Sequence, residues 1–303
     1  MHYYAVITSD YCKQAEMALA SFFNYNDVIL NLYVVDSDYD KVCNNFKAKW
    51  YRDKLNIINF YSADFNKLIT NLPHAKIEKD FPSKTRLSTL NRYRILDYIE
   101  DDELISVDLD VMYFGKLDFT KYKCALNGIH EPSLHLPKPY HDIDFLINIG
   151  ICKYIKSEFK LANSFTDEMI KKLKEDGEHY WIPDQDIFNE LAKSKCAIAD
   201  TIFTRATPYT PYVKIKAIHY TTPLFKPWTT HPELQTCYQP ERILALGFLL
   251  YQHYARRSNL FLEEATANVN GLLKNSKDPV NFTLAANKNE FKRLCSEIDS
   301  WKI

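Results

Sequence analysis

The chain has 303 residues, of which 46% are hydrophobic and 25% are charged, and its formal net charge at pH 7 is -1. This size and composition are typical of a globular protein with a large core, and the near-zero charge excludes a protein that binds nucleic acid by bulk electrostatic attraction. Only six residues are glycine, and neither of the common glycine-rich phosphate-binding loops occurs.

The first part of the chain alternates between apolar strands and amphipathic helices. We predict strands over residues 3–7, 28–35 and 55–60, and a helix over 12–23. Asp36, Ser37 and Asp38 follow the second strand as a helix N-cap region. Alternation of this kind predicts an α/β fold with a mainly parallel sheet. Ligands of such sheets bind at the carboxyl ends of the strands, where Tyr11, Asp36 and Asp108 fall.

The later elements extend this pattern and then change it. We predict helices over 85–98, 157–174 and 184–192, strands over 145–151 and 217–220, and a loop-rich segment over 127–138. After about residue 230 the pattern is helical. The sequence therefore predicts a catalytic domain over 1–230, built on a single Rossmann-like mixed sheet flanked by helices, and a helical C-terminal extension over 231–303.

Two aspartates one residue apart follow an apolar run and form the most informative motif of the chain. On an extended strand end Asp108 and Asp110 would point to the same face, where unpaired carboxylates repel each other. A divalent cation removes that repulsion, and an oxygen-only pair suits Mg²⁺ or Mn²⁺. Such an ion commonly neutralises a leaving diphosphate. The structural alternative is a solvated pair at the end of a strand.

Two other segments offer groups that can contact a base and a ligand hydroxyl. Asp10 and Tyr11 follow the first strand, where the ring can stack on a base and the carboxylate can accept a hydrogen bond from it. Asn148 lies in an apolar strand, and a buried amide must be hydrogen-bonded, either to the protein or to a ligand hydroxyl. An ordinary turn and a structural amide are the alternatives for these residues.

Two further segments add an acid, an amide, an imidazole and an ammonium. Asp184 and Gln185 begin a predicted helix, where Asp184 can also serve as an N-cap. His219 follows the late strand, and Lys226 lies beside two prolines and a tryptophan as a candidate phosphate-binding residue. A lone histidine is more often structural than a ligand, so this segment gains weight only together with the others.

Taken in order, these segments resemble the family-8 glycosyltransferases, which are retaining sugar transferases of the GT-A fold and include glycogenin and bacterial lipopolysaccharide galactosyl- and glucosyltransferases. The resemblance extends from about residue 3 to residue 228 and rests on several short motifs in the same order. It implies a GT-A fold, a Mn²⁺ or Mg²⁺ cofactor and a nucleotide-sugar donor, with UDP-galactose or UDP-glucose expected first. The implied acceptor is a glycan, a lipid-linked sugar or a protein.

The resemblance also implies roles for individual residues. Asp108, Asp110 and His219 match the metal ligands. The positions that match donor-binding residues are Ala5, Thr8, Asp10 and Tyr11 at the uridine, Arg92 and Asn148 near the donor sugar, and Lys226 at the diphosphate. Asp184 and Gln185 match an acid-amide pair at the reacting sugar. Arg86 is a second candidate for the position of Arg92, and Thr222 stands where the family usually has glycine.

The resemblance predicts transfer with retention of configuration. A double displacement would need a carboxylate nucleophile, for which Asp184 or Asp144 can be nominated. Gln185 occupies the family's counterpart position, and an amide is a poor nucleophile. We therefore favour attack by the acceptor hydroxyl on the face of the sugar from which the leaving group departs. The leaving phosphate oxygen would accept the proton of that hydroxyl.

Two other functions fit parts of the sequence. In a haloacid-dehalogenase-type phosphatase Asp108 would be the nucleophile and Asp110 the general acid. That motif normally opens its domain, whereas more than a hundred residues precede it here. A non-catalytic nucleotide-sugar-binding protein is the second alternative, although its metal ligands would be expected to be incomplete.

The cysteines, the N-terminus and one aromatic and basic segment indicate the cellular location of the protein. Seven cysteines lie scattered without a C-x-x-C spacing, which favours reduced thiols and a cytoplasmic location. The N-terminus reads as a strand and not as a signal peptide. Residues 246–262 mix aromatic and basic side chains, which suits either peripheral contact with the cytoplasmic face of a membrane or packing against the catalytic domain.

Overall fold

The computed structural model describes residues 1–73, 83–131, 146–180, 182–193, 195–199, 216–220, 242–260 and 279–303. Two compact units divide the chain. The first comprises Met1–Cys12, Val28–Leu109 and Asp118–Asp200, and the second comprises Lys13–Asp27, Asp110–Leu117 and Thr201–Ile303. The predicted boundary at residue 230 lies outside the described residues and stays a prediction.

The described residues form nine strands and eight α-helices. The strands are β1 (His2–Ile7), β2 (Leu30–Val34), β3 (Leu55–Asn59), β4 (Glu103–Val107), β5 (Val111–Tyr113), β6 (Leu126–Glu131), β7 (Leu146–Ile155), β8 (Cys196–Ile198) and β9 (Ala217–His219). The helices are α1 (Cys12–Tyr25), α2 (Tyr39–Phe46), α3 (Ala63–Thr70), α4 (Ser83–Tyr98), α5 (Phe165–Asp176), α6 (Pro183–Leu191), α7 (Arg242–Arg257) and α8 (Pro279–Ser300).

The first unit is built on a seven-stranded mixed sheet in the order β3-β2-β1-β4-β7-β6-β8. Strands β3, β2, β1 and β4 are parallel, β7 runs antiparallel to both of its neighbours, and β8 is parallel to β6. Helices flank the sheet and complete a core that includes Tyr4, Leu90, Tyr93, Leu96 and Phe188. The predicted mixed sheet flanked by helices is confirmed, and the carboxyl ends of β1, β2 and β4 lie at one edge because these strands are parallel.

The second unit combines a two-stranded sheet with helices. Strand β5 pairs antiparallel with β9, and Val111 lies opposite His219. Helices α7 and α8 meet where the guanidinium of Arg257 donates to the backbone carbonyls of Ile298 and Trp301. Tyr254 is buried against the Trp301 ring, at a centroid distance of 5.9 Å.

The Tyr254 hydroxyl also donates to the Glu16 carbonyl of α1 at 3.5 Å, and the Tyr251 ring packs edge-on against Tyr220 at 6.2 Å. These two contacts, with residues of the predicted catalytic domain, favour the packing interpretation of the segment that mixes aromatic and basic side chains. Tyr251 and Tyr254 are both buried, whereas Arg256 and Arg257 are exposed, although the Arg257 guanidinium donates to two backbone carbonyls. No helix among the described residues is long and apolar enough to cross a membrane. The six cysteines in the described part of the chain are free thiols, in agreement with the prediction.

Three local predictions were wrong. Residues 126–131, partly assigned to a loop-rich segment, form strand β6, whose pairing with β7 is too distant in sequence to be visible in local composition. The helix predicted over 157–174 begins only at Phe165, where the Ser164 hydroxyl accepts a hydrogen bond from the Asp167 N–H as an N-cap. Asp108 and Asp110 lie in the turn between β4 and β5 and not on a strand, so strand alternation does not set their directions.

Candidate functional site

The turn after β1 carries the residues predicted to hold a nucleotide base. Ala5 and Thr8 are buried at 1% and 5% exposure. A single 3-10 turn follows at Ser9–Tyr11, closed by a 3.0 Å hydrogen bond from the Tyr11 N–H to the Thr8 carbonyl. Asp10 is exposed and Tyr11 is partly exposed, so both side chains lie where a ligand can reach them.

A buried carboxylate at the end of β2 fixes that turn. Asp36 accepts a hydrogen bond of 2.8 Å from the Ser9 N–H, and the Ser9 hydroxyl donates to Asp38 at 2.9 Å. Lys84, on the first turn of α4, lies 3.4 Å from the Asp36 carboxylate and 3.9 Å from that of Asp10. The Ser9–Tyr11 turn is therefore tied to the end of β2 and to α4 through charged groups.

The pKa of Asp36 reflects this environment. Burial alone would raise the pKa of the carboxyl, but the N–H and hydroxyl of Ser9, the N–H of Asp38 and the ammonium of Lys84 together lower it. A lowered folded-state pKa contributes stability that is present above the usual pKa of an aspartate and is lost as the pH falls through the folded value.

Asp36→Asn is therefore expected to destabilise the protein in a pH-dependent way. The free energy of unfolding should fall by about 1.5–3 kcal/mol at pH 7, the usual size for hydrogen bonds to a charged group, and by much less near pH 3. Urea unfolding at the two pH values measures this, with the exposed Asp40→Asn as the matched control. Equal losses at both pH values would contradict the role given to the Asp36 carboxylate.

Arg92 on α4 is paired with the first aspartate of the D-x-D motif. Its guanidinium donates to the Asp108 carboxylate and, at 3.2 Å, to the carbonyl of Ile149 in β7. Burial would lower the pKa of Arg92, but the carboxylates of Asp108 and Asp184 raise it well above its usual range. Arg92 is 7% exposed, so this cation is held permanently among acidic groups.

The two candidate arginines make different contacts. Arg86 donates to the carbonyls of Ile69, Leu72 and Pro73, which lie at the end of α3 and just after it. These contacts make Arg86 a cap for a helix C-terminus. Arg92, by contrast, donates to the Asp108 carboxylate of the D-x-D motif.

The residues predicted to face the donor sugar lie on β7 and α6. Asn148 in β7 is 5% exposed, and its side-chain oxygen accepts from the Gly150 N–H at 3.0 Å. Asp184 and Gln185 lie in the first turn of α6 and are each 4% exposed. The N-cap of α6 is Ile182 and not Asp184, and Asp186 accepts the Ile182 N–H at 2.9 Å. The capping alternative for Asp184 is therefore wrong.

The second unit holds the other two predicted metal ligands. Asp110 precedes β5 and His219 ends β9, and their antiparallel pairing brings the Asp110 carboxylate within 2.8 Å of the His219 Nε2. Both residues are buried, at 8% and 5% exposure, and the Tyr220 N–H donates to the Asp110 carbonyl at 3.0 Å. A buried carboxylate and imidazole facing each other are a donor pair suited to a divalent ion.

Two predicted site residues are not described by the structure, and two other residues were not predicted from the sequence. Lys226 and Asp144 lie outside the described residues. Lys84 and Asn189 were not predicted from the sequence, because their contacts join elements that are far apart in the chain. One feature of the sequence could have indicated Lys84, namely its position eight residues before Arg92. Both residues lie on α4, and both side chains point to the strand ends.

Known proteins similar to this chain are glycosyltransferases. No family model matches the chain. Glycosyltransferase GlyD of Streptococcus pneumoniae serotype 4 (strain ATCC BAA-334 / TIGR4) is 23% identical over 242 residues, which make up 73% of this chain and 28% of the relative. The chain thus spans about a quarter of the length of the curated relative that it matches.

Solved structures match a larger part of the chain. The galactosyltransferase LgtC, crystallised with donor and acceptor sugar analogs, gives a TM-score of 0.61 at 15% identity and covers 77% of this chain and 90% of its own. The glycosyltransferase GlyE of Streptococcus pneumoniae TIGR4 gives 0.51 at 16% identity, covering 76% of this chain and 57% of its own.

These similarities define the fold as that of the GT-A glycosyltransferases. Within that class the chain resembles bacterial glycosyltransferases of the family-8 type, as the order of the motifs predicted.

Proposed function

We propose that this chain is a metal-dependent glycosyltransferase that moves a hexose from a nucleoside diphosphate sugar to a hydroxyl acceptor with retention of configuration. The observation that carries the proposal is the pairing of the D-x-D aspartates with basic side chains far away in sequence. Asp108 pairs with Arg92, and Asp110 with His219. A solvated pair of carboxylates at the end of a strand would have no need of two such partners, and here Arg92, Asp110 and His219 are buried.

Asp108, Asp110 and His219 are the residues that would hold the metal. Two carboxylates and an imidazole fit Mn²⁺ or Mg²⁺, and the single residue between the aspartates keeps Asp108 near the Asp110–His219 pair. The bound ion would supply positive charge to the diphosphate leaving group. Lys226 is proposed to bind the same diphosphate, on the strength of the family resemblance.

The remaining residues bind and orient the donor. Asp10 and Tyr11 would take the uracil, over the buried Ala5 and Thr8. Arg92 and Asn148 would approach the sugar, with Arg92 kept cationic by Asp108 and Asp184. Donor binding to buried, preorganised charges lowers the cost of ordering these groups in the transition state.

Gln185 and Asp184 are proposed to act at the reacting sugar. The transition state resembles an oxocarbenium ion, and buried Asp184 contributes negative charge beside Arg92. Because the Gln185 amide is a poor nucleophile, attack by the acceptor from the leaving-group face accounts for retention. A glycosyl adduct trapped on Asp184 or Asp144 would overturn this mechanism.

The donor is proposed to be UDP-galactose or UDP-glucose, and the acceptor a glycan, a lipid-linked sugar or a protein. A cytoplasmic location is proposed from the free cysteines. Peripheral membrane contact through the C-terminal segment has less support, because its described tyrosines are buried. The phosphatase alternative also has less support, since Asp108 is held by Arg92 and the chain has a GT-A fold.

Titration calorimetry with free nucleotides tests the proposed donor site. UDP is expected to bind with Mn²⁺ at least about tenfold more tightly than without it, because an ion held by Asp108, Asp110 and His219 would supply positive charge to the diphosphate. ADP serves as the control, since a purine does not match the base site implied for Asp10 and Tyr11. Equal affinity for UDP with and without metal would contradict the proposed metal site, and turnover separates the enzyme from a non-catalytic binder.

A further inference from the structure

The first turn of α6 is held in place by the side chain of Tyr93. The Tyr93 hydroxyl donates a 2.7 Å hydrogen bond to the backbone carbonyl of Asp184. The Tyr93 ring stacks on Phe188, one turn further along α6, with a centroid distance of 4.1 Å and an interplanar angle of 4°. Tyr93 therefore contacts α6 with both its polar and its apolar parts.

A second side chain, Asn189, holds the same helix from the opposite direction. Its side-chain oxygen accepts from the Ile147 N–H at 2.8 Å, and its amide donates at 2.8 Å to the carbonyls of Ile147 and Gln185. Asn189 is fully buried. Two of these bonds fasten α6 to β7 at Ile147, beside Asn148, and the third bonds Asn189 to the Gln185 carbonyl within the first turn of α6.

The fastened positions adjoin the residues of the proposed donor site. Tyr93 follows Arg92 on α4, and Ile147 precedes Asn148 on β7. Asp184 and Gln185 are held through their own backbone carbonyls. Burial raises the pKa of Tyr93 well above its usual range, with Asp184 adding to the effect. Its hydroxyl therefore remains a hydrogen-bond donor at neutral pH.

We propose that Tyr93, acting with Asn189, is a positioning residue for sugar transfer: it fixes the first turn of α6, so that Asp184 and Gln185 stand in the correct place beside the donor sugar. This inference rests on the proposed function. Since an error of about 1 Å in the placement of reacting groups can cost about 100-fold in rate, one hydroxyl can have a large kinetic effect without touching the substrate.

Tyr93→Phe tests the inference because it removes the hydroxyl and keeps the ring that stacks on Phe188. We expect kcat for donor turnover to fall by about tenfold or more, while the KM for the donor stays within about twofold, since the loss is confined to the transition state. The matched control is Tyr180→Phe, which removes a 3.0 Å hydrogen bond from a tyrosine hydroxyl to Glu190 at the other end of the same helix.

The two variants separate positioning from general destabilisation. The inference predicts that Tyr180→Phe keeps the wild-type kcat, and that hydrogen exchange increases at Ile182–Gln185 in Tyr93→Phe only. Equal kcat values for the two variants, with an active wild-type protein, would overturn the positioning role alone. Failure of the wild-type protein to turn over any nucleotide sugar would overturn the proposed function, and the positioning role with it.

Discussion

Asp110→Asn is expected to abolish metal-dependent donor turnover, with a loss of about 1,000-fold or more, the scale of removing a main electrostatic contribution to catalysis. The substitution keeps the size of the side chain and removes its charge. In the structure this carboxylate faces His219 in a buried setting, and an amide is a weaker ligand for a hard divalent ion. Turnover measured against Mn²⁺ concentration, together with Mn²⁺ binding, gives the result.

The chain offers a control with nearly the same chemistry. His253 and Asp299 form another histidine–aspartate pair in the second unit, at 3.0 Å, but their side chains are 35% and 59% exposed. Asp299→Asn should leave both turnover and Mn²⁺ binding unchanged. If Asp110→Asn kept Mn²⁺-dependent turnover, Asp110 would not be a metal ligand, and the metal site as proposed would be wrong.

Arg92→Met is expected to cost about 3 kcal/mol of unfolding free energy, in the range measured when one partner of a buried ion pair is removed. The substitution takes the cation away from Asp108, whose side chain is only 23% exposed. It also removes the donor to the Ile149 carbonyl. Urea unfolding in the absence of metal measures the loss.

A double-mutant cycle attributes this loss to the ion pair. Asp108→Asn in the Arg92→Met background should cost less than Asp108→Asn alone, because the charge it removes no longer has a partner. Arg94→Met is the control on the same helix: its guanidinium stacks on Phe60 at 4.1 Å, a contact usually worth about 1 kcal/mol. Strict additivity of the two substitutions would contradict a coupled Arg92–Asp108 pair.

The strands and helices that were predicted correctly are those that a pattern of neighbouring residues indicates. Strands β1, β2 and β3 read as apolar runs, and α4 and α6 were predicted within two residues of their observed starts. By contrast, β5 and β8 have three residues each. Both strands exist because of pairing with distant partners and were not predicted from their composition, whereas β9, which is equally short, was predicted over 217–220.

For the candidate site too, the sequence indicated residue types but not the contacts between distant elements. Residue types and their order indicated Asp108, Asp110 and His219, because few structural roles require that combination. The Asp110–His219 contact depends on the β5–β9 register, and the role of Arg92 depends on where α4 lies relative to β4. Tyr93 and Asn189 resembled ordinary core residues of two helices, and their hydrogen bonds to backbone carbonyls became visible only in three dimensions.

Donor hydrolysis by the purified protein tests the central claim most directly. The protein is incubated with a panel of nucleotide sugars, with and without Mn²⁺, and both the released nucleotide and inorganic phosphate are measured. The account predicts Mn²⁺-dependent release of UDP from one UDP-hexose, without release of inorganic phosphate. Absence of UDP release from every nucleotide sugar in the presence of Mn²⁺, together with release of inorganic phosphate from a phosphate monoester supplied as a separate substrate, would contradict it and would support the phosphatase interpretation of Asp108.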